Sequence, residues 1–259
     1  WYHFKGNAFY QYPWSYHINK YNDKIIVYGH IDRPCGFRYF PNTGVTWKAT
    51  NKEEELIQIG TNLYTYSIFE TFLKYQLPRN DMIITFLAHE FTTDSLHLNT
   101  VVIDNVNKLI IRFEPHGFGT KCYNMQECDI EFEQSLKKHE LFSEYTYIAP
   151  DKFEKDFGPQ NIEQRQYIFK NTTAVIGGKI RTIQVKGFCQ AWSMLFAHYC
   201  FFNIPSNYSV QEIYKHLDLE HNELAILIRH FQGYVVNLSK KELENYYRVF
   251  HEEDGYFSD

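Results

Sequence analysis

The chain has five cysteines, Cys35, Cys122, Cys128, Cys189 and Cys200, and their surroundings set one apart as a candidate nucleophile. Cys189 follows Gly187 and Phe188 and leads into Gln190-Ala191-Trp192-Ser193-Met194-Leu195-Phe196-Ala197-His198-Tyr199-Cys200, a run without Pro or Gly. Such a run reads as a buried helix that starts at or near the cysteine, with Trp192, Leu195, Phe196 and Tyr199 on its inner face. The first turn of a helix has unpaired N–H groups and the positive end of the peptide dipoles. A thiol there ionises more easily, and the thiolate is the nucleophile. Cys35 follows Pro34 in a turn with no helix to lower its pKa, and Cys122 and Cys128 do not have zinc-knuckle spacing. An isolated cysteine is ordinarily a small buried hydrophobe, so Cys189 needs partners elsewhere in the chain.

The partners come from a hairpin. Residues 98–103 and 108–113 are apolar and β-branched, and Asp104-Asn105-Val106-Asn107 between them is a turn signal. His97 opens the first strand and Glu114 closes the second, so antiparallel pairing brings the two together. A carboxylate beside an imidazole selects the tautomer that accepts a proton from a thiol and stabilises the imidazolium that forms. Cysteine at a helix start, histidine as base and carboxylate as orienter together make a cysteine-protease triad for acyl transfer. Taken singly, His97 and Glu114 read as ordinary residues at strand ends. His89 is a competing base that fits the hairpin less well. His216, His221 and His230 read as scattered helical histidines, not metal ligands.

The elements expected to carry this triad are a strand at 24–31, helices at 52–59 and 66–77, a buried strand at 81–88, and a polar loop from Glu90 to Ser95. The hairpin follows, then a helix at 129–141 and a strand at 145–149. A second hairpin uses 167–170 and 179–185, with 171–178 as its turn. Beyond the Cys189 helix, Ser209-Val210-Gln211-Glu212 is a capping box opening a helix to about His216, and further helices are expected at 223–231 and 240–249. There is no linker or repeat. The expectation is one catalytic domain over 1–259, with 1–60 an N-terminal accessory lobe and 61–259 the core.

Two segments resemble a known family. His97-Leu98-Asn99-Thr100-Val101-Val102-Ile103-Asp104, with Arg112-Phe113-Glu114-Pro115-His116-Gly117, resembles the histidine strand and acid of the adenain-like and ubiquitin-like-protein-specific (SUMO-protease-type) cysteine protease clan. Gly187-Phe188-Cys189-Gln190-Ala191-Trp192-Ser193 resembles the nucleophile segment of deubiquitinase-like relatives encoded by large DNA viruses. The order His, acid, Cys is that of the clan, and the resemblance covers roughly residues 65–205. It implies an α+β cysteine-peptidase fold in which a central mixed sheet packs against the helix carrying the nucleophile. It also implies cleavage after the C-terminal Gly-Gly of ubiquitin or a ubiquitin-like protein, with no cofactor or metal. The clan has a glutamine before the cysteine that donates to the oxyanion; Gln160 and Gln184 are both candidates, and Gln160 is the equivalent if the second hairpin is an insertion. The clan's Trp after the histidine is here Leu98, and its Gly after the cysteine is Gln190. Three other readings of the same residues are a precursor-processing viral protease, an acetyltransferase with the same triad, and an inactive ubiquitin-binding module.

Bulk properties narrow the partners. A net charge of −5 has no Lys/Arg stripe to replace phosphate counterions, which argues against nucleic acid. An odd cysteine count in a long chain fits a reducing compartment, cytoplasmic or nuclear, in a host cell or a virion. No segment has the length and apolarity of a membrane span, and no signal peptide is visible. A monomer is expected. The first residue is Trp1, not Met, which reads as part of a longer protein.

Overall fold

The computed structural model describes residues 17–28, 36–41, 56–92, 95–117, 124–153, 158–160, 172–176, 179–183, 189–203, 208–217, 227, 228, 230 and 231. Its centre is one mixed sheet. The strands are β1 (His17–Tyr21), β2 (Lys24–Tyr28), β3 (Phe37–Tyr39), β4 (Leu56–Gln58), β5 (Leu63–Tyr66), β6 (Met82–Thr92), β7 (Ser95–Asp104), β8 (Leu109–Phe113) and β9 (Thr146–Ile148). Their order is β4-β5-β3-β6-β7-β8-β9. β2, itself paired with β1, runs parallel to the first part of β6, and β3 runs parallel to a later part. β6, β7 and β8 are antiparallel neighbours, and β9 is parallel to β8.

The alternation of side chains along β7 divides the molecule into two layers. Leu98 and Val102, with Ile84, Phe86 and Ala88 of β6 and Ile111 and Phe113 of β8, form one core. Helix α3 (Cys189–Phe202) covers it with Trp192, Leu195 and Phe196, and α4 (Val210–His216) adds Ile213 and Tyr214. Phe113 stacks on Phe196 with ring centroids 4.3 Å apart. Val101 and Ile103 face the other way, towards α1 (Ser67–Gln76), through Phe69 and Leu73, and α2 (Met125–Lys138), through Phe132 and Leu136. Burying each such side chain contributes about 1.5–3 kcal/mol, so these two cores hold the sheet between its helices.

Helix α3 is pinned to β7 by polar contacts as well. Ser193 Oγ donates to Leu98 O at 2.7 Å, and Thr100 Oγ1 donates to Ser193 O at 2.7 Å. The start of α4 follows the sequence signal, with Ser209 and Glu212 forming both halves of the capping box. Helix α2, expected at 129–141, begins earlier, at Met125, because Asn124 caps it by accepting from Glu127 N. The turn after β7 is held by Asp104, whose carboxylate accepts from Asn107 N at 3.0 Å and Asn107 Nδ2 at 2.8 Å.

Several expectations change. Residues 56–58, expected in a helix, form strand β4. The Glu-rich stretch before Leu56 favours a helix locally, but Leu56 and Ile57 pair with β5, and the tertiary contact overrides the propensity. The loop expected from Glu90 to Ser95 is shorter, because β6 continues to Thr92 and β7 begins at Ser95, with an irregularity in register at Glu90 to Thr92. The second hairpin pairs Thr172–Ile176 with Lys179–Ile183, so its first strand uses residues expected in the turn. Thr172-Thr173-Ala174-Val175-Ile176 is mostly β-branched and pairs accordingly. β2 and β3, from the stretch expected as an accessory lobe, are strands of the central sheet. Residues 167–170 and 240–249 lie outside the described residues, as do Cys35, Cys122 and His221.

Candidate active site

Helix α3 begins at Cys189, on one layer of the molecule. His97 lies near the start of β7, at the end of the sheet, where the first turn of α3 reaches it. The Cys189 thiol is hydrogen-bonded to the His97 ring and to the backbone of Leu98. His97 Nε2 donates to Glu114 Oε1 at 2.7 Å, which leaves Nδ1 to face the thiol. Cys189, His97 and Glu114 are all buried.

The register of the β7–β8 hairpin differs in a useful way from the simple picture of two strand ends meeting. Thr100 pairs with Phe113. Continued past that point, the register sets Asn99 opposite Glu114 and His97 opposite His116, so His97 meets Glu114 on a diagonal. The side chains agree with this. Asn99 Nδ2 donates to Glu114 Oε2 at 2.7 Å, and the His116 ring lies 4.8 Å from the His97 ring, centroid to centroid. His116 N also donates to Glu114 Oε1 at 2.9 Å. Leu98, the residue after the histidine, points into the opposite core and so does not pack on the imidazole. The rings of His116 and His89 lie beside it, with centroids 4.8 and 5.7 Å away.

A buried polar chain runs beneath Glu114. Arg112, two residues earlier on β8 and fully buried, reaches Asn99 Oδ1 at 2.5 Å and Glu114 Oε2 at 3.5 Å. Its other nitrogens donate to Asp129 Oδ1 at 2.7 and 3.0 Å, and Tyr147 OH donates to the same oxygen at 2.5 Å. His89 stands opposite His97 in the β6–β7 register, but its Nε2 donates to Asn99 Oδ1 at 2.7 Å. Burial first, then the positive charges of His97 and Arg112, push its pKa down to about 3. His89 is therefore neutral and committed to Asn99, which takes it out of contention as the base.

Charge follows from these contacts. Burial opposes the imidazolium of His97, but Glu114 and then Cys189 outweigh it and lift its pKa to about 10. Burial also opposes ionisation of Glu114, yet His97 and Arg112 hold the carboxyl far below its ordinary range. At Cys189 burial raises the pKa, while the hydrogen bond and charge of His97 lower it by more, and the net shift is downward. These shifts favour the charged forms of His97 and Glu114 and make the Cys189 thiol easier to ionise. By contrast, burial pushes the thiols of Cys128 and Cys200 well up, so they stay protonated.

The linkage signs give a test. The folded value of His97, about 10, lies above the ordinary 6.5 of a free imidazole, so its contribution to stability is complete below pH 6.5 and fades as pH rises towards 10. Glu114 is shifted down, so its contribution is complete above the ordinary carboxyl value of 4.5 and is lost on acidification. Chemical denaturation across pH should show a loss from pH 6.5 upward that His97→Gln abolishes; an unchanged slope in His97→Gln would contradict the assignment.

Of the two candidate glutamines, Gln160 is described and Gln184 lies outside the described residues. Gln160 is buried and close to the acid: Gln160 N donates to Pro115 O and Gly158 N to His116 O, both at 2.9 Å. Its side-chain Oε1 has no hydrogen-bond partner among the described residues. His230 is exposed, the side chain of His216 lies outside the described residues, and no cluster of metal-ligating side chains occurs among the described residues. No described helix is long and apolar enough to cross a membrane. Asn99, Arg112, Asp129 and Tyr147 are site residues that the sequence reading missed. Asn99 is two residues from His97, and Arg112 two from Glu114, so the two-residue period of a strand was the available signal.

No family model matches the chain, and no curated protein matches it. Among solved structures, ChlaDub1 of Chlamydia trachomatis is similar at 12% sequence identity with a TM-score of 0.29. The match covers 62% of this chain and 63% of that one, so it spans less than two thirds of either.

Proposed function

We propose that this chain is a cysteine peptidase of the ubiquitin-like-protease and adenain type that cleaves after the C-terminal Gly-Gly of ubiquitin or a ubiquitin-like protein. The observation that carries the catalytic part is the hydrogen-bonded line from Cys189 at the start of α3 through His97 to Glu114. The substrate class rests on the resemblance of the segments 97–104, 112–117 and 187–193 to that clan. In the proposed reaction the Cys189 thiolate attacks the carbonyl carbon of the scissile bond. His97 Nδ1–H protonates the leaving amine, and the acyl-enzyme forms. The neutral His97 then takes a proton from water as that water attacks the thioester, and collapse of the adduct releases the acid and expels Cys189 as the thiolate beside the protonated His97. Glu114 keeps the ring oriented and stabilises its charged form.

The developing oxyanion needs fixed donors. The Cys189 N–H at the helix start is one. Gln160 is the better supported of the two glutamines: it is buried beside the acid, and its side-chain amide is incompletely satisfied within the described residues. The two ends of an amide side chain exchange by a flip, and the flipped Gln160 places its NH2, the end that donates, at the unpartnered position.

Gly158 offers a test of that role. A Cβ there would lie 2.4 Å from Gly117 N and 2.6 Å from Pro115 O, both backbone atoms that cannot yield as a flexible side chain would. Gly158→Ala is expected to push residues 158–160 off the 114–117 loop and to lower turnover on the order of 10- to 100-fold, with cooperative unfolding retained. Steady-state kinetics beside a thermal melt would check it, and unchanged turnover would remove Gln160 from the oxyanion site.

The decisive experiment is incubation with ubiquitin and a panel of ubiquitin-like proteins carrying a thiol-reactive C-terminal group, read by intact mass. Covalent capture of one modifier, lost in Cys189→Ala, is the expected result. A reactive Cys189 that captures none of them would redirect the substrate towards viral precursor sites or acetyl transfer, and a Cys189 without reactivity would leave a binding module.

A further inference from the structure

Accepting Cys189, His97 and Glu114 as the reacting groups, we propose that Asn99 is a positioning residue: locked in one orientation by His89 and Arg112, it holds Glu114 where the carboxylate can serve His97. The orientation of the amide is fixed twice over. The guanidinium of Arg112 has only donors, so the Asn99 atom it touches at 2.5 Å is the oxygen. The carboxylate of Glu114 only accepts, so the atom 2.7 Å from Oε2 is the Asn99 nitrogen. Both requirements give the same rotamer. His89 adds a third constraint, because its Nε2 must carry the hydrogen to donate to that oxygen at 2.7 Å.

The consequence lies in what Glu114 would do without Asn99. Oε1 serves His97 Nε2 at 2.7 Å and His116 N at 2.9 Å. Oε2 is held by Asn99 at 2.7 Å, whereas Arg112 reaches it only at 3.5 Å. Removing the short bond leaves a buried carboxylate beside a buried guanidinium at a loose distance. The attraction between opposite charges then draws the carboxylate towards Arg112 and away from His97. Asn99 prevents this by supplying Oε2 with a neutral donor on the His97 side. Its nitrogen also lies 3.2 Å from His97 Nε2, a contact between two donors that share Glu114 as acceptor.

Every element around this group contributes a titratable or charged side chain: His89 from β6, His97 from β7, Arg112 from β8, His116 from the loop after β8, Asp129 from α2, Tyr147 from β9, Tyr214 from α4 and Cys189 from α3. Asn99 is the neutral residue placed directly opposite Glu114, so its effect is read through the others.

The test is the rate of Cys189 alkylation by iodoacetamide from pH 4 to 10, followed by peptide mass, in the parent, His97→Ala, Asn99→Leu and Asn99→Ala. The parent should alkylate with a midpoint below that of a free thiol, and His97→Ala should raise it. If the Asn99 variants fold cooperatively and raise the midpoint by about one pH unit, reactivity on the acid side falls roughly tenfold and the role is supported. A parent-like midpoint in those variants, with His97→Ala still shifted, overturns the role of Asn99 and leaves the triad standing. A parent with the profile of a free thiol overturns the triad itself. If neither Asn99 variant unfolds cooperatively, His89→Gln, which keeps a donor for Asn99 Oδ1, and His89→Leu, which does not, decide the matter. Rescue by Gln alone supports the lock, and identical parent-like profiles refute it.

Discussion

Cys189→Ala is expected to abolish covalent capture of any electrophilic substrate and to reduce turnover by roughly 10⁴-fold or more, with the fold retained. In the proposed reaction the Cys189 thiolate forms the bond in the first step, and no other described cysteine is able to replace it. Cys128 and Cys200 are fully buried, and burial holds their thiols protonated. His97→Ala should cost nearly as much, because without the imidazolium the pKa of Cys189 rises and the leaving amine has no acid. The double variant should be little worse than either single one, as residues acting in one step do not contribute additively. Structural damage is expected to be small, since Cys189 lies at a helix start and Ala is a good helix former. Turnover within tenfold of the parent in folded Cys189→Ala would end the assignment of the nucleophile.

Arg112→Leu is expected to have the largest effect on stability, about 3–5 kcal/mol, which for a chain of this size lowers the melting temperature on the order of 10 °C. Arg112 is fully buried and lies between two buried carboxylates, Glu114 at 3.5 Å and Asp129 at 2.7 Å. Removing the guanidinium takes away the cation paired with Asp129 and one of the two beside Glu114, in a medium that solvates charge poorly. Arg112→Lys is the informative comparison. Lysine keeps the charge but lacks the planar fork that serves Asn99 and Asp129 at once, so most of the loss should persist. Urea denaturation of the three proteins would measure it. A loss below 1 kcal/mol for Arg112→Leu would mean that this polar chain is an incidental feature of the core.

Both predictions depend on residues of different legibility. Cys189 could be picked out of the sequence because a helix start is a local signal, written in the apolar run that follows it. His97 and Glu114 were legible because a hairpin is nearly local too: two β-branched runs and a polar turn are enough to bring the ends together. Arg112 and Asn99 sit in those same runs and could have been found from the two-residue period, yet a buried arginine looks from sequence like an exposed strand residue. Its partner Asp129 is on α2, and nothing local says that α2 covers that face.

The sequence by itself determined the elements and the chemical types of the site: the helix that opens at Cys189, the hairpin with His97 and Glu114, and the capped start of α4. These depend on residues within a few positions of one another, so propensity, periodicity and capping suffice. Tertiary structure decided the rest. It turned 56–58 into an edge strand, placed His116 beside His97, put His89 on Asn99 in place of Cys189, and docked residues 158–160 against the acid loop. Each of these depends on pairings between distant segments, whose register is set by which faces bury apolar area together. A one-residue slip would send His97 and Asn99 to the other layer, and only the packed sheet with helices on both faces rules that slip out.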